Sequence, residues 1–581
     1  MERRVLIAVL LSFLVLYGYQ TLFSPPPEPK PVQASKTATA PNASAPAVSN
    51  PTPSVQGVPS PAGAVPPSVP ARDIEIDNAD VHAVFTTRGA VLKSWKLKKY
   101  RDDQNQSLEM IAGHAPADSP LPFTLGVDDA ALAATLAAAP FTVTSADSSA
   151  NPSSNAAGGW QAQFDYADDA GLRAQKIFSI AAGKPYVVNV TASVTLNGKP
   201  VVSTLRWGPA LGSGIILKSR TYNPPPQPIF FKDGKVSRIS PDKIASQPAQ
   251  EGVFGFIGVD DHYFLVAVVK PNEPVRVEYS SVDVPLDAYP EGAHYVSWST
   301  RYRSPPQGAA YFAGPKDFDV LASVDRDLVR AIDFGMFAWL VVPLLRALKW
   351  LNVYVGNYGW SLVLLTVLIN LAMFPLRHKS VVSMRKMQDV QPEVKAIQER
   401  YAKLKMSDPG RAKMNTEVMA LYKERGVNPA SGCVPMLLTM PVLFAFYSML
   451  SVAIELRGAP FIGQIHDLSA HDPWFIWPVV MGLTMFVQQK MTPSTADPMQ
   501  QKMMMFMPIM MAGMFLWAAS GLVIYWTVSN VWGIGQQMIT NRIIGPTVQR
   551  TVRPPAERQM KNVKNVGGGK TEQAAKDKER E

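Results

Sequence analysis

One cysteine, Cys433, stands in a chain of 581 residues. A single thiol excludes an intramolecular disulfide framework and any metal site built from clustered cysteines. Charge is scarce as well. Asp, Glu, Lys and Arg make up 18% of the residues, against about 25% in soluble domains. Acidic residues are the scarcer sign, 46 against 56 Lys and Arg, so the chain carries +10. With 47% hydrophobic residues, that balance excludes a wholly disordered chain and argues against a wholly soluble one. The basic excess suits an anionic partner, lipid headgroups or nucleic acid. Catalytic signatures are missing too: no nucleophile motif or redox pair occurs. Gly567-Gly568-Gly569-Lys570-Thr571 resembles the end of a phosphate-binding loop, but Lys564 stands where a glycine is needed and no strand precedes it. His466-Asp467 and His471-Asp472 could ligate a metal, yet such pairs in a surface loop are more often merely polar. No cofactor, no metal and no enzymatic activity are expected.

What is present is uneven. The mean hydropathy of +0.01 averages a polar half and an apolar half, and the length predicts three to five domains. Val5–Phe23 is a 19-residue apolar run behind Met-Glu-Arg-Arg. It is long enough to cross a bilayer and has no small-residue cleavage site before Ser24, so residues 1–23 read as an uncleaved anchor starting in the cytoplasm. Residues 24–71 hold fourteen of the 51 prolines and read as a semi-extended linker.

Residues 72–317 change period. Alternating runs at Val81–Thr86, Ala174–Ile180, Tyr186–Leu196, Val201–Trp207, Tyr263–Val269, Val275–Tyr279 and His294–Tyr302 predict strands, with turns at Asn197-Gly198 and Asp233-Gly234. A large soluble β domain, a sandwich, is expected. In residues 318–356 the apolar run Phe334–Leu345 is only 12 long and flanked by charge, which predicts a helix lying in the membrane interface. Five further spans follow, at about 358–376, 433–454, 474–489, 503–520 and 522–539, the last two meeting in a tight turn at Ser520-Gly521. The loop 377–432 carries twelve Lys and Arg and the tail 542–581 carries ten, whereas 455–473 carries only Arg457. The positive-inside rule then gives six spans with both termini in the cytoplasm. Residues 24–357 lie on the opposite side, the periplasm of a Gram-negative cell.

Three spans carry polar stripes at helical spacing: Thr366, Asn370, Met373 and Arg377; Trp477, Met481, Thr484 and Gln488; Tyr525, Ser529, Trp532 and Gln536. Such stripes either glue helices together at about 0.6 kcal/mol per bond or line a hydrated cavity; the cavity is the stronger reading. In the basic loop, Met387, Val390, Val394, Ile397, Tyr401 and Leu404 step by three and four, and Met414, Val418 and Leu421 resume the pattern beyond Ser407-Asp408-Pro409-Gly410. This predicts an antiparallel coiled-coil hairpin within 377–432, with Pro392 kinking or starting its first helix. It is either a stiff connector or a docking arm. The fifth span packs seven methionines into residues 503–514, an adaptable surface or plain lipid-facing filler. The tail suits RNA or anionic lipid, and nothing points to DNA.

The segments NPASGCVPMLLTMPVLFAFYSML (428–450), IELRGAPF (454–461), IHDLSAHDPW (465–474), MGLTMFVQQKMTPSTADPMQQK (481–502), SGLVIYWTVSN (520–530) and KWLNVYVGNYGWSLVLLTVLINLAMFPL (349–376) closely resemble the YidC/Oxa/Alb family of membrane protein insertases, in its Gram-negative form. TTRGAVLKSWKLKKY (86–100) extends the likeness more weakly into the β domain. The resemblance implies a polytopic α-helical membrane protein with a periplasmic β-sandwich related to sugar-mutarotase folds. It implies a non-enzymatic insertase and chaperone of the bacterial inner membrane, acting on nascent membrane proteins alone or beside the Sec translocon, near the ribosome. It further implies a groove open to cytoplasm and lipid. The family's groove arginine falls at Asn370, its threonine at Thr366, and a tyrosine of the last span at Trp526, beside Tyr525. Arg377, two turns along the face of Asn370, can lend the missing positive potential. The candidate groove set is thus Thr366, Asn370, Arg377, Thr439, Thr484, Gln488, Tyr525, Trp526, Ser529 and Gln536. Leu443, Met481, Met510 and Met514 form the candidate apolar slide. Two other classes remain: a secondary transporter, for which internal repeats are missing, and a membrane-anchored periplasmic sugar-binding domain.

Overall fold

The computed structural model describes residues 70–102, 105–113, 115–116, 119–144, 159–211, 225–286, 289–401, 410–427, 434–492 and 498–544. The expected anchor, nearly all of the linker, the hairpin turn with Leu404, and the tail beyond 544 lie outside them.

Residues 73–315 form three antiparallel sheets among the described residues. The ten-stranded sheet runs Lys235–Arg238, Gln227–Lys232, Phe256–Asp260, Phe264–Val269, Ala309–Pro315, Val187–Leu196, Leu172–Ile180, Trp160–Ala167 and Thr142–Thr144, with Lys199–Pro200 paired beside Val187–Leu196. A five-stranded sheet (Ala249–Gly252, Val275–Leu286, Tyr289–Arg301, Thr204–Ala210, Thr124–Gly126) and a four-stranded one (Asp73–Asp77, Val81–Thr86, Val91–Arg101, Ser107–Glu109) pack on it. Rings from both smaller sheets meet the large one. Trp207 and Trp298 lie 6.3 and 6.1 Å from Tyr311, Phe85 lies 4.8 Å from Phe178, and Trp95 Nε1 donates to Ala313 O at 2.9 Å. The short helix α1 (Ala130–Ala138) is capped by Asp129.

Burial along the strands locates the second face. Leu172–Ile180 alternates between buried and outer residues, the pattern of a sheet packed on one side. Phe256–Asp260 and Phe264–Val269 are buried throughout, so both faces are covered there. Part of the cover is helix α2 (Phe318–Val324) and the turn after it, whose Leu321, Leu328 and Ala331 join the same core. Asn197-Gly198 and Asp233-Gly234 turn with positive φ at both residues, as two-residue hairpins require. The strand expected at Val201–Trp207 is instead Thr204–Ala210. Residues 199–201 finish the preceding hairpin, with Val201 N donating to Val194 O, and the chain is released to the five-stranded sheet only afterwards.

Beyond 337 the chain is helical: α3 (Ala338–Val355), α4 (Tyr358–Arg400), α5 (Gly410–Glu424), α6 (Val434–Val452), α7 (Ile476–Met491), α8 (Pro498–Met514) and α9 (Ser520–Ile544). Among the described residues, α3 and α4 are long and apolar enough to cross a membrane, with shorter apolar helices at Met440–Val452 and Met503–Trp517. Helix α3 is longer than its 12-residue apolar run. It buries Val341, Leu344, Leu345, Leu348 and Leu351 and exposes Trp339, Trp350, Val353 and Tyr354. Helix α4 departs from expectation. It continues without a break through Pro375 and Pro392, so the membrane segment and the first hairpin arm are one 43-residue helix. Each proline removes one intrahelical bond, and the packing on both sides carries the helix across. Val390, Val394, Ile397, Leu421 and Val427 form a separate small core with Met387, Tyr401, Met414 and Val418. It is clamped by Arg425–Glu393 at 2.6 Å and Tyr401 Oη–Glu417 at 2.6 Å.

Among the described residues, three polar contacts help seat the β domain on the helices. His262 Nε2 lies 2.6 Å from Ser451 O in the last turn of α6. Arg457 lies over the rings of Tyr263 and Phe264 at 5.7 and 5.1 Å, with Nη2 on Arg101 O. Lys349 of α3 bridges Asp317, Asp319 and Glu455 at 3.2, 2.5 and 3.2 Å.

Candidate functional site

Helix α4 begins at the cap Asn357, whose Oδ1 accepts from Trp360 N. Its inward face runs Ser361, Leu362, Leu365, Thr366, Asn370, so apolar packing gives way to polar groups after about two turns. Thr366 Oγ1 donates to Leu362 O at 2.7 Å, which hides its proton within the helix. Asn370 Nδ2 donates to Thr366 O at 2.8 Å and reaches Ser529 Oγ of α9 at 3.4 Å. Arg377 folds back along the face, and its Nη1 donates to Asn370 Oδ1 at 2.7 Å. One turn below, Gln536 Nε2 donates to Phe374 O at 3.3 Å. Thr366, Asn370, Arg377, Ser529 and Gln536 thus form one polar ladder between α4 and α9.

The ladder is shut in this structure. Thr366 and Asn370 are 0% and 4% exposed, and Arg377 and Ser529 both reach Asn370. It is not saturated, however. Gln536 Oε1 and Trp532 Nε1 are buried without a partner among the described residues. A buried polar group left unmade costs about 1–3 kcal/mol, so these atoms call for water or a polar guest.

The other candidates divide. Tyr525 stacks on Phe446 of α6 at 4.4 Å, whereas Trp526 turns away to Phe515 at 5.1 Å. Thr484 Oγ1 accepts from Asn530 Nδ2 at 3.3 Å, and the Gln488 amide lies against Gly533, where an added Cβ would come within 2.2 Å. Thr484 and Gln488 therefore belong to the tight α7–α9 seam rather than to the ladder. Met481 is fully buried in that seam, Leu443 is half-buried, and Met510 and Met514 of α8 are exposed. Thr439 lies where side chains are outside the described residues. The sequence reading missed Asn530, Thr540 and His378; His378 Nδ1 lies 3.1 Å from Thr540 Oγ1. A second polar stripe on α9, with Asn530, Gly533, Gln537 and Thr540, was the available signal.

The opposite end is sealed. The segment 454–475 buries Ile465 and Leu468 and lays Phe461 against Trp360 and Trp477. It also accepts Ser520 N and Gly521 N on the carbonyls of Ala470 and Leu468. Asp467 and Asp472, considered above as metal ligands, are spent on local groups. Asp467 takes Ser469 N, and Asp472 takes Trp474 N and Trp477 N.

A bundle with a buried polar ladder, sealed at the end that carries a β domain, matches known proteins along nearly its whole length. Residues 350–547 match the 60Kd inner membrane protein family, and residues 73–347 match the YidC periplasmic domain. The chain belongs to the YidC family of membrane protein insertases. The membrane protein insertase YidC of Geobacter metallireducens is 36% identical over 564 residues, covering 94% of this chain and 99% of the relative. That of Pelobacter propionicus is 35% identical over 567 residues, covering 94% and 100%. A solved structure of active YidC insertase aligns over 80% of this chain and 91% of its own, at 17% identity and a TM-score of 0.33. Family membership therefore rests on the sequence matches. YidC proteins of this form are inner membrane proteins with a periplasmic domain rich in strands.

Proposed function

We propose that this chain inserts transmembrane segments of other proteins into the bacterial inner membrane and helps them fold, as the name of its YidC relatives states. The observation that carries the reading is the ladder Thr366–Asn370–Arg377–Ser529–Gln536 in a bundle sealed at one end. A charged residue costs about 2.5–3.5 kcal/mol at the bilayer centre on insertion scales, and unpaired backbone adds several kcal/mol per group. A polar path reaching part-way shortens the dry crossing and supplies hydrogen-bond partners. Arg377 gives that path its charge. It reaches the position of Asn370 by its own length, so an acidic tail can draw the guanidinium out of the ladder and open it. The guest's apolar helix meanwhile packs on the exposed methionines of α8 and leaves into lipid. Burial of its apolar surface drives the step at about 25 cal/mol per Å², with no covalent chemistry.

The same reading places six spans with both termini in the cytoplasm, residues 24–357 in the periplasm and α3 in the interface. The basic hairpin and tail then face the ribosome, the Sec translocon, nascent chains and anionic lipid. Single cysteines at 370 and 529, in a Cys433→Ser background, test the path with a water-soluble maleimide. Position 529 should label from the cytoplasmic side, and position 370 should label fast only when Arg377→Ala is added. Labelling from the periplasmic side alone refutes the proposal.

A further inference from the structure

Most charges where the β domain meets the helices are spent on local pairs, but one cluster encloses space. A cavity of about 170 Å³ lies where Arg238, Asp260, His262 and Lys316 of the β domain face Asp333 and Val452. Its depth follows from two neighbours. Val452 ends helix α6, and Asp333 precedes Met336 and Trp339, which are 84% and 71% exposed at the start of α3. On the topology proposed above, on which this inference rests, the cavity lies at the level of the outer-leaflet headgroups.

Its chemistry is mixed in sign. Asp260 is buried, and a single oxygen, Oδ2, takes Arg238 Nε at 3.2 Å, Arg238 Nη2 at 3.1 Å and Lys316 Nζ at 3.0 Å. Its other oxygen, Oδ1, has no partner among the described residues. A buried carboxylate with one crowded and one unused oxygen retains acceptor capacity that is costly to leave unfilled. Asp333 is exposed, with Oδ1 holding Gly335 N at 3.0 Å. Asp261 also lines the cavity, but burial pushes its carboxyl pKa up and its Oδ1 already holds Tyr263 N and Phe264 N, so Asp260 and Asp333 are the carboxylates set beside the two cations. Arg238 stays one quarter exposed, and among the described residues its Nε and Nη2 are the engaged nitrogens.

We propose that this cavity binds phosphoethanolamine, as the headgroup of an outer-leaflet phospholipid. The ammonium, with three N–H donors, is taken by Asp333 and the unused side of Asp260. The phosphate meets the free edge of Arg238, and Val452 continues into the acyl region. Phosphatidylcholine offers no N–H donor, and phosphatidylglycerol offers no cation, so both bind less well.

The test uses the full-length chain in nanodiscs of phosphatidylcholine alone, or with phosphatidylethanolamine or phosphatidylglycerol added in equal share. Amide hydrogen exchange is followed at 259–263 and 331–335. Phosphatidylethanolamine should slow exchange at both segments. Asp333→Asn should weaken that effect about tenfold, the size of one charge-assisted hydrogen bond, while melting like the parent. Equal protection by all three lipids, or an unchanged effect in Asp333→Asn, overturns the site. A third arm adds soluble glycerophosphoethanolamine to phosphatidylcholine discs; protection equal to that from the lipid overturns the lipid as source. Insertion is not the readout. A chain that binds phosphatidylethanolamine but inserts nothing refutes the functional proposal and leaves this one standing.

Discussion

Two residues show how single side chains organise this chain. Lys176 sits in the sandwich core, with no ion pair to a carboxylate among the described residues. Its Nζ donates to Gly89 O, Ala90 O and Phe123 O at 2.7, 2.9 and 2.7 Å, and all three residues have positive φ. Burial pushes the pKa of Lys176 down, yet three acceptors require the three N–H of an ammonium. One buried lysine therefore holds two strained turns, one of them within the TTRGAVLKSWKLKKY stretch. Lys176→Met strips three buried carbonyls at about 1–3 kcal/mol each. At the low end, about 3 kcal/mol in all, the domain should melt at least 6–12 °C lower, at about 2–4 °C per kcal/mol for this size. A fall of under about 2 °C in calorimetry would show that the turns hold themselves. The second residue is Arg377. If it supplies the ladder's cation, Arg377→Ala should slow insertion of an acidic-tailed single-span substrate and spare a neutral one. Asn370→Arg, which roots a cation on the same face at a backbone position about 10.5 Å along, should restore it. Equal insertion of both tails by Arg377→Ala would reduce Arg377 to a topology signal.

At the scale of elements, period carried most of what the sequence could tell. Alternation found strands such as Leu172–Ile180 because one face of the large sheet is wet; where both faces are covered no alternation is required, and of two such strands Phe264–Val269 was read and Phe256–Asp260 was not. The hairpin seam was legible because a two-helix core needs the step of three and four. The continuity of α4 was not, because proline argues locally for a break while the packing that overrides it is tertiary. Polar stripes on α4 and α9 were likewise visible, but spacing alone could not say that Thr484 and Gln488 meet α9 instead of open space. The α7–α8 contact has its own signature. A Cβ on Gly482 would come within 2.8 Å of the Ala512 Cβ, so these helices approach only because a hydrogen stands there. Gly482→Val should prise α8 away at about 1–3 kcal/mol. A disulfide crosslink between cysteines placed across α7 and α8 should form more slowly, and unchanged crosslinking would show that the bundle absorbs the bulk.

For the molecule as a whole, the question is what keeps the β domain seated over the sealed end of the bundle. Lys349 and Arg457 supply charge, but His262 supplies a contact whose charge changes with pH. Its Nε2 donates to Ser451 O, and burial, its largest influence, pulls its pKa below the usual imidazole value; Lys316 adds to the fall. The Ser451 carbonyl and the carboxylates of Asp261 and Asp260 act in the opposite sense, more weakly than burial. An imidazole whose docked pKa lies below its free value, about 6.5, binds fewer protons when docked. Docking is therefore at full strength above that free value and weakens as pH falls through the lowered docked one. Hydrogen exchange at 261–264 should be steady above about pH 7, after correction for its intrinsic pH dependence, and should quicken towards about pH 5. His262→Gln keeps an N–H donor for Ser451 O and removes the titration, so its exchange should stay flat over the same range. If the parent is flat as well, the cations hold the seat alone. If His262→Gln quickens at low pH like the parent, the carboxylates around Lys316 and Lys349 titrate instead, and the histidine is only a spacer at the end of α6.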